Sequence, residues 1–183
     1  MSDKGSGRFV ILDRDGTIVI DRQYLSDPDG LTFLPGAAEG LRSMYRQGWR
    51  LVVITNQSGV GRGMFSIDTV ESMNVRLIEM AEQAGARIER IYFCPHRPED
   101  ACLCRKPGTQ LMALAAGELG FDPHEAVVIG DKPSDVEFGR NSGAMTLLVA
   151  ADPSSEAARS ARADHVVPDL REAAMIIGRL SEH

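Results

Sequence analysis

Positive charge is in short supply. The chain has 20 Lys and Arg against 26 Asp and Glu, a net charge of −6. A nucleic-acid backbone needs a basic face, so this balance speaks against such a partner. A small phosphorylated ligand needs only a few local cations and stays open. Long apolar runs are also missing. The runs present are only a few residues long, too short to span a membrane. The opening stretch MSDKGSGRFV lacks the apolar core of a signal peptide, so the chain is expected in the cytoplasm. Cysteine is scarce, with three in 183 residues. An odd number in a reducing compartment makes a disulfide framework a poor expectation. No repeat, linker or low-complexity segment interrupts the chain.

What is present is an ordinary globular composition, 43% hydrophobic and 25% charged. Residues 1–183 suffice for one domain with its own core, expected as a monomer. Short apolar runs at 9–12, 51–54, 88–93, 126–129, 144–149 and 165–167 read as strands. Helical spacing fills the intervals. One helix follows Pro35-Gly36 and stops at Gly48, and one runs from a Ser66 cap to Gly85. Others are expected at 107–119, 134–141, 153–162 and from 169 onward. This alternation predicts a three-layer α/β/α sandwich around a mostly parallel, Rossmann-like sheet. Such sheets bind ligands at the carboxyl ends of their strands. Polar residues gather at those ends: Asp13, Thr55 with Asn56, Lys106 and Asp131.

Each of these stretches is ambiguous alone. In "LDRDGT", Asp13 and Asp15 follow a buried strand, where neighbouring carboxylates are costly unless a cation lies between them. With Asp131 they would offer hard oxygen donors to Mg²⁺, yet a D-x-D pair can also be a strand-end turn. In "ITNQSGVGRG", a hydroxyl, an amide and backbone N–H groups could meet a phosphate, yet Gly-rich loops are often only turns. Lys106 could hold phosphate or be a solvated surface group. "VIGDKPSD" adds Lys132 and Asp135 beside Asp131.

All three cysteines fall in "CPHRPEDACLC", residues 94–104. Cys94 and His96 form C-x-H, and Cys102 and Cys104 form C-x-C after five intervening residues. Three sulfurs and one nitrogen match a closed, structural Zn²⁺ site. The C-x-x-C spacing of a thioredoxin-like redox pair is missing. A zinc-binding loop at 94–104 would fix Arg105 and Lys106, which follow it directly.

Together these stretches resemble the haloacid dehalogenase superfamily of phosphotransferases. "DRDGT", "ITN", Lys106 and "GDKPSD" stand as its four motifs, in order. The resemblance implies that Asp13 is the nucleophile, forming an aspartyl-phosphate, and that Asp15 is the general acid and then the base. It implies that Thr55 and Lys106 hold the transferring phosphoryl group. Mg²⁺ would be bound by the Asp13 and Asp131 carboxylates and the Asp15 carbonyl, with Asp135 supporting from behind. Within the superfamily, "CPH", "CLCRKP", "TNQSGVGRG" and "DRDGTI" are similar to the D-glycero-D-manno-heptose 1,7-bisphosphate phosphatase family. That family removes one phosphate in building nucleotide-activated heptose for surface polysaccharides. Asn56, Gln57, Arg62, Arg105 and Lys132 are then expected as substrate contacts. The intervals between motifs leave no room for a cap domain, so loop 21–34 and residues 62–65 should supply specificity. A related histidinol-phosphate phosphatase carries the same core and zinc loop. A polynucleotide 3′-phosphatase shares "DGT" and "TNQ", but the acidic balance and the zinc loop speak against it. A zinc-containing module without catalysis fits poorly with a complete carboxylate and lysine set.

Overall fold

The computed structural model describes residues 7–180; residues 1–6 and 181–183, assigned above to the domain, lie outside the described residues. Six parallel strands are β1 (Phe9–Leu12), β2 (Arg50–Asn56), β3 (Ile88–Cys94), β4 (Val127–Gly130), β5 (Met145–Val149) and β6 (His165–Val167). They lie in the order β3-β2-β1-β4-β5-β6. The helices are α1 (Ala37–Arg46), α2 (Ser58–Gly61), α3 (Ile67–Gln83), α4 (Gln110–Leu119), α5 (Pro133–Asn141), α6 (Glu156–Ser160) and α7 (Leu170–Leu180).

Both faces of the sheet are dry, which is why β1 and β2 read as continuous apolar runs. Side chains alternate between two cores. Val10, Leu12, Leu51 and Val53 join Leu41 of α1, Leu77 of α3 and Ile177 of α7. Phe9, Ile11, Val52 and Ile54 meet Met112 of α4 and Phe138 of α5 on the other side. The three-layer sandwich is therefore as expected, and the described residues form no separate cap. The strand order reverses between β1 and β4, the point where such sheets open a crevice at their carboxyl edge.

Local differences from the expected elements have physical causes. α4 begins at Gln110 rather than near Pro107, because the chain first turns back, with Gly108 N–H donating to the Arg105 carbonyl at 2.7 Å. α6 covers only Glu156–Ser160. Asp152 first caps its own turn by accepting from Ser154 N–H at 2.9 Å, and Ser155 then caps the helix. The Gly-rich stretch after β2 is not an open loop but the helical turn α2. Tertiary packing overrides glycine's low helix propensity there: a Cβ on Gly59 would collide with the Phe65 ring.

Candidate active site

Asp13 follows β1 directly, and its N–H donates across the switch point to the Ile129 carbonyl of β4 at 2.9 Å. That bond sets Asp13 beside Asp131, the residue after β4. Asp135 projects from the first turn of α5 and accepts from Lys132 N–H at 3.0 Å. Oxygens of Asp13, Asp131 and Asp135 lie within 4.8 Å of one another. Two glycines make the approach possible. Gly16 has φ +87° and a Cβ there would strike the Asp131 carboxylate; a Cβ on Gly130 would strike Asp135.

Lys106 enters from the loop after β3. Its Nζ lies 2.7 Å from Asp13 Oδ1, 2.7 Å from Asp135 Oδ1 and 2.7 Å from the Ile54 carbonyl. Burial pulls the Lys106 pKa down, but the Asp13 and Asp135 carboxylates outweigh it and hold the ammonium above the ordinary lysine value. Burial pushes Asp131 up to about 6, with Asp13 and Asp135 adding repulsion against the pull of Lys132. Thr17 Oγ1 donates to Asp131 Oδ1 at 3.2 Å and so ties the turn after β1 to the residue after β4. Asp13 and Asp135 thus share the buried Lys106 ammonium, and Asp131 has only the pull of the more exposed Lys132. The surplus of negative charge and the all-oxygen donor set fit a hard divalent cation such as Mg²⁺.

The Asp15 carboxylate stands outside this cluster, which leaves its expected metal contact to the backbone carbonyl, while Asp135, expected as support, lies within it. Asp15 Oδ2 is held by Arg14 Nε at 3.0 Å and by Gln57 Nε2 at 2.8 Å. The cause is the turn itself, in which Ile18 and Val19 N–H groups donate to the Arg14 carbonyl and set residues 14 and 15 apart from Asp13. Gln57 Nε2 also lies 3.0 Å from Thr55 Oγ1. Asn56 makes a reciprocal pair with the Lys106 backbone, accepting at 3.0 Å and donating at 3.2 Å. Its amide therefore fastens β2 to the lysine loop.

Beside this machinery lies a cavity of about 430 Å³, lined among others by Asp15, Arg22, Tyr24, Gln57, Arg105 and Lys132. Lys132 reaches Asp21 at 3.5 Å, and Arg105 Nη1 donates to the His96 carbonyl at 3.4 Å. Arg62 is not among the lining residues; it pairs with Glu99 at 3.7 Å. The start of loop 21–34 does line the cavity, as do Asn56 and Phe65. Arg14 and Asn74, both buried, were not singled out from the sequence. A polar residue at position 74, inside the apolar stripe 70, 73, 77 and 81, is the signal that marks them.

The four Cys and His residues also converge. Cys94 ends β3, and its sulfur lies 3.2 Å from that of Cys104 and 3.5 Å from that of Cys102. His96 Nδ1 is 3.2 Å from Cys104 Sγ and 3.6 Å from Cys94 Sγ. A tetrahedral zinc with bonds of about 2.3 Å places its sulfurs roughly 3.8 Å apart, close to this spread. Burial pushes the Cys94 thiol up to about 12. A soft divalent cation would replace that proton, so the donor set suits Zn²⁺.

Known proteins resemble this chain in sequence and in fold. Residues 103–173 match the family described as "HAD-hyrolase-like". The D-glycero-beta-D-manno-heptose-1,7-bisphosphate 7-phosphatase of Haemophilus influenzae is 32% identical over 182 residues, covering 96% of this chain and 99% of its own. The chain belongs to this family. A second member, from Helicobacter pylori, is 38% identical over 138 residues, 75% of this chain and 79% of its own. The solved D,D-heptose 1.7-bisphosphate phosphatase from B. bronchiseptica, complexed with magnesium and phosphate, superposes with a TM-score of 0.83 at 28% identity. It covers 96% of this chain and 99% of that one. As a member of the family, the chain is a haloacid dehalogenase-type phosphatase. None of the helices among its described residues is long and apolar enough to cross a membrane.

Proposed function

We propose that this chain, acting as a single-domain cytoplasmic monomer, hydrolyses the 7-phosphate of D-glycero-D-manno-heptose 1,7-bisphosphate in nucleotide-heptose synthesis. The observation that carries the reading is the meeting of Asp13, Asp131 and Asp135 with Lys106 at the switch point, in a chain whose full-length relatives bear that name. Asp13 attacks phosphorus; an Asp13–O–P bond forms and the sugar P–O bond breaks, its electron pair leaving with the sugar oxygen. Asp15 gives that oxygen a proton. It then takes one from the water that attacks the aspartyl-phosphate, releasing phosphate and restoring Asp13. Lys106 and Thr55 hold the phosphoryl oxygens, and Lys106 also screens Asp13 from the dianion it must attack.

Asp13, Asp131 and the Asp15 carbonyl would hold Mg²⁺, with Asp135 supporting them. When bound, this ion supplies charge neutralisation at the transferring group. Cys94, His96, Cys102 and Cys104 would hold a structural Zn²⁺ that keeps Arg105 and Lys106 in place. Gln57, Arg105 and Lys132 line the cavity where the sugar and its second phosphate would sit, while Asn56 acts by supporting Lys106. Arg62 lies outside that lining and is left to the pair with Glu99.

The test is kcat/KM on both anomers of the heptose bisphosphate and on histidinol phosphate, with Asp13→Asn as control. A clear preference for one heptose anomer, lost in the control, is expected. Equal, feeble rates on all three would remove the substrate assignment and leave the phosphatase chemistry standing.

A further inference from the structure

Asn74 is a polar residue inside an apolar stripe. The buried positions of α3 are Val70, Met73, Asn74, Leu77 and Ala81, and Asn74 is only 8% exposed. Burying an unpaired amide costs stability, so packing alone would favour leucine there. Asn74 Oδ1 instead accepts from Arg14 Nη1 at 3.1 Å. Arg14 is itself 3% exposed, and the rest of its guanidinium points at Asp15. Nε and Nη2 both lie 3.0 Å from Asp15 Oδ2. Gln57 donates to the same oxygen. Three donors therefore converge on Oδ2, while Oδ1 accepts no hydrogen bond among the described residues. Asp15 also lines the cavity.

A side-on guanidinium pair would engage both carboxylate oxygens. Here both nitrogens crowd one oxygen, which holds the carboxyl group in a single orientation. The three donors can stay in place whether or not Oδ1 carries a proton, and Oδ1 is the oxygen left free to exchange it. The fixed end of this chain of contacts is α3. Its Ser66 cap accepts from Thr69 N–H at 3.1 Å, and Met73 and Leu77 are anchored in the core. Without Asn74, the long Arg14 side chain loses the contact that fixes its rotation.

We propose that Asn74 is a positioning residue: by fixing the Arg14 guanidinium, it orients the Asp15 carboxyl so that Oδ1 delivers its proton to the departing sugar oxygen. The inference rests on the phosphatase reading above. In the step concerned the Asp13–phosphorus bond forms and the ester P–O bond breaks. The Oδ1 proton passes to the oxygen that leaves. Arg14 and Asn74 exchange no proton; they only hold Asp15.

The test uses a property that a purely structural role would not move, the dependence on leaving group. kcat/KM reports the steps up to phosphorylation of Asp13. It is measured on the heptose bisphosphate, whose alkoxide needs the proton, and on p-nitrophenyl phosphate, whose phenolate departs without it. For Asn74→Leu, the rate on the sugar should fall by about tenfold or more, and that on the aryl ester by less than about threefold. Asn74→Asp keeps an acceptor for Arg14 and should restore the sugar rate to within about threefold of the unmodified enzyme. Arg14→Lys keeps the charge but loses the fork, so it carries the same selective loss and serves if Asn74→Leu does not fold. Equal losses on both esters, or no loss on either, would overturn the inference and leave the phosphatase reading intact. No phosphate release from either ester by the unmodified, Mg²⁺-loaded protein would remove both.

Discussion

Asp131 is a half-buried carboxylate that costs the fold stability and that, on the function proposed above, would hold the metal. Burial pushes its pKa up to about 6, with Asp13 and Asp135 adding repulsion, and the pull of Lys132 does not offset them, so its charge is poorly compensated in the metal-free chain. Functional sites often hold such surplus charge at the expense of stability. Asp131→Asn is therefore expected to raise the melting temperature of the metal-free protein. The unmodified protein should gain about 2.7 kcal/mol from Mg²⁺ at a hundredfold excess over Kd, and the variant should gain almost nothing. Thermal melts with and without Mg²⁺ check both statements. A variant that melts below the unmodified metal-free protein would contradict the account of surplus charge.

At the scale of an element, the loop between β3 and α4 carries the lysine, and the Cys and His cluster closes it. The protein as purified is expected to contain one zinc per chain, checked by metal analysis together with thiol titration. Stripping that zinc should release Arg105 and Lys106 from the rim, and added Mg²⁺ alone should not restore phosphate release. A metal-free preparation with three reactive thiols and full activity would contradict the clamp. At the far side of the sheet, Asp164 joins the turn before β6 to β5. It accepts from Thr146 N–H and Thr146 Oγ1, both at 2.8 Å. Those bonds outweigh burial and hold its pKa below the usual carboxylate range. The stabilisation is therefore present above the unfolded carboxylate pKa and is lost as pH falls through the folded one. Asp164→Ala should cost about 0.5–1 kcal/mol at pH 7, a small value because the residue is exposed. In urea melts that difference should shrink as the pH is lowered toward about 3.

At the scale of the whole molecule, stability and chemistry sit in different places. The two apolar cores lie along the sheet faces, and the carboxylates sit at one edge. Leu41 of α1 is fully buried in the larger core. Leu41→Ala should cost about 2–5 kcal/mol in denaturant unfolding. Its kcat/KM at a temperature well below the transition should stay unchanged, and a changed preference between substrates would show that the core and the rim are coupled. With no cap among the described residues, the cavity is lined by the start of loop 21–34, the α2 turn, Phe65, Arg105, and Lys132 and Ser134 at the start of α5. On the function proposed above, discrimination among phosphorylated substrates would fall to those segments.

The layer architecture was legible because periodicity reports burial directly. Phe9–Leu12 and Leu51–Ile54 are apolar at every position, and only strands covered on both faces read so. The order of Asp13, Thr55, Lys106 and Asp131 along these units already assigns them to one edge of the sheet. Cys94, His96, Cys102 and Cys104 were readable as a set because their spacing is short. Less local features were not. Asn56 turns to the Lys106 backbone, and Arg62 lies 3.7 Å from Glu99 outside the cavity lining. The fold class and the residues at the rim are written along the chain, because alternation of strand and helix is a property of neighbours. Which side chains meet at the rim is set by packing between distant segments. That packing put Asp135 into the carboxylate cluster, turned Asp15 onto Arg14 and Gln57, and set Asn74 behind them. Contacts across 60 residues of chain, such as that between Arg14 and Asn74, depend on how α3 packs on the sheet, and no local pattern records that distance.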